Sequence, residues 1–127
     1  MAHFAELNQN NQVLRVIFVR NEDILNENGI EEEKIGIEFC KLIYGENTKW
    51  VQTSYNNNFR NRYAGQTDIY RDDLDVFISP QPFPSWTLNE NSFRWEAPIP
   101  EPNDEKFYVW DEELYQTDNM QGWVVVV

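Results

Sequence analysis

Two largely apolar runs separated by a polar one lie near the N-terminus. Residues 3–7 read as a short strand and residues 13–19 (VLRVIFV) as a longer one, because β-branched and aromatic side chains suit a pleated, half-buried surface. The polar run between them, residues 8–11 (NQNN), supplies turn formers, so a hairpin is expected over residues 3–19. In its second strand Val13, Ile17 and Val19 share one face with Arg15, and Leu14, Val16 and Phe18 take the other. A strand apolar on both faces is expected at the centre of its sheet.

The period then lengthens. Ile35, Phe39, Leu42 and Ile43 recur at i, i+4, i+7 and i+8, which predicts a helix over residues 31–44 with those four side chains as its buried stripe. Asn28 stands three residues before Glu31 in capping-box spacing, and Glu31, Glu32 and Glu33 suit the positive end of the helix dipole. Gly45 is placed to close the other end. Residues 49–55 (KWVQTSY) return to alternation. The order β-β-α-β predicts a small antiparallel sheet with one helix across a face, and the Asn-rich residues 56–65 are expected to end this body at about residue 65.

Residues 66–127 repeat one short design three times, at residues 70–77 (YRDDLDVF), 86–95 (WTLNENSFRW) and 110–123 (WDEELYQTDNMQGW). Each copy opens on an aromatic residue, passes through an Asp, Asn or Glu cluster and closes on another aromatic, the pattern of a β-hairpin. Pro80, Pro82, Pro84, Pro98, Pro100 and Pro102 fall between the copies; proline fixes φ and removes a donor, so these joints are expected to be stiff and extended. The fold class is therefore α+β: a small sheet with one helix over residues 1–65, then a Pro-jointed series of aromatic hairpins forming an extended arm over residues 66–127.

Charge narrows the partners. Twenty-two acidic against ten basic residues leave a net charge of −12 spread along the chain, and that field repels phosphate backbones and anionic lipid. Neither nucleic acid nor membrane is an expected partner. No run approaches the ~20 apolar residues of a bilayer span, and the N-terminus lacks the basic flank and apolar core of a signal peptide, so synthesis in a cytoplasm is expected. Cys40 is the lone cysteine, which rules out an intrachain disulfide and offers no metal-ligand spacing.

Catalytic constellations are hard to assemble from these residues. Cys40 sits beside Phe39 and Ile43 on the expected helix, where a thiol behaves as a small buried hydrophobe, and His3, the one histidine, reads as a surface or strand-edge residue. Asp72, Asp73 and Asp75 lack the glycine and distal glutamate of a calcium loop and read as a solvated turn. There is neither a P-loop nor a G-x-G-x-x-G fingerprint, so no cofactor, no metal and no enzymatic activity are expected. Trp86, Trp95, Trp110 and Trp123 are expected to pair across their own hairpins; the alternative is a set of platforms on which sugar rings stack. Arg60 and Arg62, set between Phe59 and Tyr63, form a small basic island expected to dock on an acidic protein surface, including that of another copy. Together with Trp86, Trp95, Tyr108, Trp110 and Trp123 they are the expected partner-binding residues.

Three stretches carry a resemblance. Residues 1–19 (MAHFAELNQNNQVLRVIFV), 49–65 (KWVQTSYNNNFRNRYAG) and 77–100 (FISPQPFPSWTLNENSFRWEAPIP) resemble a family of small proteins of marine tailed phages, especially those infecting cyanobacteria. The likeness runs through nearly the whole chain and is most specific at residues 50–57, 63–65 and 80–98. It implies a virion protein that is made in the host cytoplasm and binds capsid or tail proteins, and it supplies no catalytic residues; small size and acid excess slightly favour capsid decoration over a tail position. The closing stretch, residues 107–127, is similar to the endings of tail-fibre assembly proteins, although residues 111–122 are longer than a compact turn. Two alternatives thus stand beside the virion reading: a tail-fibre assembly chaperone and a carbohydrate-binding module using the Trp platforms.

Overall fold

The structure is a computed structural model that describes residues 1–126. It divides into two compact units, Met1–Pro80 and Gln81–Val127. The first unit holds strands β1 (Ala2–Leu7) and β2 (Val13–Val19), a 3-10 turn (Asn21–Ile24), helix α1 (Glu33–Tyr44), strand β3 (Lys49–Thr53) and the hairpin β4 (Ile69–Arg71) and β5 (Val76–Ile78). The expected β-β-α-β order is present as an antiparallel sheet of strand order β2-β1-β3.

That order puts β1, not β2, at the centre. The apolar residues of β2 had suggested the reverse, but Leu14 and Phe18 are exposed (45% and 67%). A bulge also breaks its alternation: Glu6 faces Arg15 and Leu7 faces Val13, leaving Leu14 as the extra residue. Val13 therefore joins Val16 on one face, with Ala5, Leu7 and Phe77, while Ile17 and Val19 lie on the other with Phe4 and Cys40. The start of β2 is covered on its outer side, where Val13 N–H donates to Asp68 O (2.7 Å) and Thr67 N–H to Val13 O (2.9 Å).

Both faces of the sheet are covered. Helix α1 and Ile24 close one side around the fully buried Phe4. The helix presents Gly36 and Cys40 to the sheet, flanked by Ile37 and Phe39; of the anticipated stripe Phe39 packs on the core, but Leu42 and Ile43 are 81% and 57% exposed. The reason is a close approach: a Cβ on Gly36 would lie 2.1 Å from the Phe4 ring, so only glycine admits that ring against the helix axis. Burial pushes the Cys40 thiol up to about 11, which keeps it protonated and inert. Asn28 does not cap the helix. Glu32 stands at its N-cap without a side-chain bond to the helix backbone, its carboxylate accepting instead from Asn26 Nδ2, and Asn26 ties the preceding loop, its Oδ1 accepting from Asn28 and Ile30 N–H. Gly45 closes the far end at φ 122°, donating to Lys41 O.

On the opposite face Phe77 is fully buried with Ala5, Leu7, Val13 and Ala64. The first aromatic hairpin thus belongs to the body, and the break expected near residue 65 falls at Pro80 instead. Its Tyr70 and Phe77 are direct cross-strand partners with rings 5.2 Å apart, as the repeat had suggested. His3 is on the central strand, not at an edge, stacked on Tyr55 and edge-on to Tyr63, each at 5.5 Å. Burial, assisted by the charged N-terminus, holds its pKa below the ordinary 6.5. The unfolded chain therefore takes up the proton first on acidification, so stability falls as pH drops below about 6.5. Denaturation at pH 7 and pH 5 should show this loss, and His3→Gln should lessen it; an imidazole resonance titrating above 6.5 would contradict the assignment.

The second unit holds hairpins β6 (Thr87–Asn89) with β7 (Arg94–Glu96), and β8 (Phe107–Trp110) with β9 (Trp123–Val126). Between β8 and β9 lies a short helix, α2 (Glu112–Thr117), which takes up the length that a compact turn could not. Asp111 caps it by accepting from Leu114 N–H at 3.0 Å. All six prolines lie outside the strands, and among the described residues no peptide bond is cis.

Candidate functional site

The basic island resolves into two different residues. Arg60 sits at φ 56° in a loop where Asn57 and Asn61 also have positive φ, a conformation that asparagine tolerates better than most residues. Its guanidinium is turned inward. Nη1 and Nη2 make a fork to the Glu33 carboxylate at 2.5 and 3.1 Å, Nη1 also donates to Gln52 O at 2.9 Å, and Nε donates to Asp75 at 2.7 Å. Glu33 in turn accepts from Gln52 N–H at 2.7 Å. The pair thus satisfies both outward backbone groups of Gln52 on edge strand β3 and blunts that edge. Burial alone would lower the Arg60 pKa, but the hydrogen bonds to Glu33 and Asp75 prevail and raise it. Arg60 is a fastener between α1, β3 and the β4–β5 turn, rather than the exposed docking group expected. Arg62 remains half exposed (47%), with Nε 3.5 Å from Asp68.

Two of the three aspartates of the first repeat are likewise engaged. Asp73 is held by Arg71, and Asp75 accepts from Tyr70 OH (2.5 Å) as well as from Arg60. Hydrogen bonds from Tyr70 and then Arg60 hold Asp75 below its ordinary value. Among the described residues no group of three or more His, Cys, Asp or Glu could hold a metal ion, and no helix is long and apolar enough to cross a membrane.

The tryptophans form the centre of the second unit. Trp110 and Trp123 are cross-strand partners in β8 and β9 with rings edge-on at 5.2 Å, the pairing the sequence suggested. Trp86 and Trp95 do not pair this way: Trp95 faces Leu88, while Trp86 lies just outside β6 and packs on Trp110 (6.0 Å), Trp123 (5.9 Å) and Phe83 (5.5 Å). Tyr115 of α2 adds a further ring against Trp110 at 5.4 Å. Glu112 organises the polar rim, accepting from Ser85 Oγ (2.6 Å), Trp110 Nε1 (2.9 Å) and Gln116 (2.7 Å). Those bonds, Ser85's foremost, hold its pKa below the ordinary value. Trp123 Nε1 donates to Ile99 O at 2.7 Å, whereas Trp86 Nε1 is buried without a partner, so Trp86 is held by packing.

One face of the β8–β9 hairpin remains uncovered within its unit. Directly opposed residues share a face, so Phe107, Val109, Val124 and Val126 point one way and Tyr108, Trp110, Trp123 and Val125 the other. The first set is wholly apolar, with 81%, 53%, 37% and 49% of its surface exposed. Among the described residues β8 and β9 pair only with each other. The hairpin therefore offers both an apolar face and open strand edges.

No family model, curated protein or solved structure matches this chain. Its role is read from its own surfaces. The indoles of Trp86, Trp110 and Trp123 hold the unit together, while Tyr108, tied by its hydroxyl to Asp104 at 2.7 Å, lies on the same face of the hairpin as Trp110. Within the apolar run 123–127, residues 123–126 form β9, half of a two-strand ladder with β8. The unbroken aromatic and β-branched run of residues 107–110 (FYVW) was the signal that could have found the other half. Val127, the last residue of that run, lies outside the described residues.

Proposed function

We propose that this chain is a non-enzymatic structural protein of a phage particle, attached to a capsid or tail protein through the outward face of its β8–β9 hairpin. The observation that carries the reading is the ladder of Phe107, Val109, Val124 and Val126, an exposed apolar face on a chain of net charge −12. Apolar patches on otherwise charged surfaces mark sites of protein contact, and an aromatic anchor with open strand edges suits strand addition as well as face packing. The phage setting comes from the sequence resemblance, and small size with acid excess favours capsid decoration over a tail position. The negative field disfavours nucleic acid and lipid as partners. It would also keep particles apart at short range, since screening confines repulsion to about 8 Å at physiological salt.

Phe107→Asp with Val124→Lys tests this surface. Both side chains point away from the Trp86–Trp110–Trp123 cluster, so the pure variant should melt close to wild type, within about 0.5 kcal/mol as for other surface changes. It should bind less of a dye that reports apolar surface and lose attachment to its partner. A variant that attaches as well as wild type would remove the hairpin from the interface. The same ladder could join two copies; sedimentation that depends on protein concentration in the wild type, and does not in the variant, would identify that form of assembly.

A further inference from the structure

The second unit carries a second surface of different chemistry. Trp86, Trp95 and Trp123 line a groove of about 530 Å³, with Pro98, Ile99 and Pro100 along it and Glu96 and Glu101 at its sides. Trp86 and Trp123 are tilted 57° to one another with ring centroids 5.9 Å apart, and both contribute to the groove lining. Both glutamates are exposed. Among the described residues Glu96 has only long contacts, 3.3 and 3.4 Å, from the Asn89 amide, which leave most of its accepting capacity unused. No lysine or arginine is among the lining residues, and residues 81–127 contain nine carboxylates against Arg94 and Lys106 alone.

We infer that this groove binds a cationic side chain of a partner protein, an arginine guanidinium or lysine ammonium. Indole faces attract cations through their quadrupole, most strongly when the group is partly desolvated, and arginine can also stack on the ring. The two carboxylates add charge-assisted acceptors. A neutral sugar would gain stacking from the same rings but nothing from the excess negative charge, so the charge selects the cation over the glycan. The inference rests on the reading of the chain as a protein-binding module, and it adds a basic anchor on the partner to the apolar one at β8–β9.

Indole N–H resonances of the full-length protein, followed while acetyl-arginine amide is added, test it without the partner. Trp86, Trp95 and Trp123 should shift while Trp50 of the first unit stays put. Acetyl-citrulline amide, the neutral isostere, should bind roughly tenfold more weakly. The double change Glu96→Gln with Glu101→Gln should bring arginine down to the citrulline level without altering the melting curve. Equal response to arginine and citrulline, or no shift at millimolar concentrations, overturns the inference, as does saturation by maltose with none by arginine, which would make the groove a sugar site. These outcomes are read on the free protein, so they stand apart from the attachment of the Phe107 and Val124 variant.

Discussion

Gly36→Ala should be among the most damaging single substitutions in the first unit, although alanine is the better helix former by about 1 kcal/mol. The new methyl would stand 2.1 Å from Phe4 Cζ and less than 3 Å from two further ring atoms. Phe4 is fully buried between the helix and the central strand, so its ring has nowhere to retreat. Overpacking of this kind costs about 1–3 kcal/mol and reaches the upper end where the clash is with a trapped ring, a large fraction of the stability of a small domain. Urea denaturation should show a clearly lowered midpoint. Adding Phe4→Leu to the variant should recover part of it by opening space. A midpoint unchanged or raised in Gly36→Ala would mean that Phe4 does not sit against the helix.

Gly122→Ala should have a comparable effect confined to the second unit. Its Cβ would fall 2.3 Å from two atoms of the Trp110 ring, which is itself wedged among Trp86, Tyr115 and Trp123. A unit spanning only residues 81–127 has little apolar burial in reserve, because short chains bury a small fraction of their surface. A cost of about 2–3 kcal/mol should therefore melt it at ambient temperature, abolishing the near-ultraviolet dichroism of the coupled indoles. The far-ultraviolet signal of α1 and its sheet should persist. Retention of the indole signal would place Trp110 elsewhere.

The sequence made some of this legible for identifiable reasons. Aromatic pairs flanking a turn, such as Tyr70 with Phe77 and Trp110 with Trp123, are local and register-bound, so the pattern found them. The α1 helix was visible from its period, yet its buried face was misjudged, because the determining contact is a glycine that leaves no hydrophobic mark. The central position of β1 was hidden by the bulge at Leu14 and by exposed apolar residues on β2. Helix α2 was missed although Asp111, Glu112 and Glu113 make a fair N-terminal signal; its one full turn and a half is too short for a period to show. Arg60 was legible as a cation but not as a fastener, since Glu33 and Asp75 come to it from 27 and 15 residues away. Trp86 left its expected partner for rings that lie more than twenty positions along the chain, a choice that only tertiary packing makes.

Mass spectrometry of purified phage particles carrying this chain tests the central claim most directly, with wild type compared against Phe107→Asp with Val124→Lys. Wild-type chain should be present in reproducible copy number, and the variant should be soluble and folded in the lysate but missing from the particle. Absence of the wild-type chain from particles that are otherwise complete would contradict a structural role and favour an assembly chaperone, and equal incorporation of the variant would contradict attachment through the β8–β9 face.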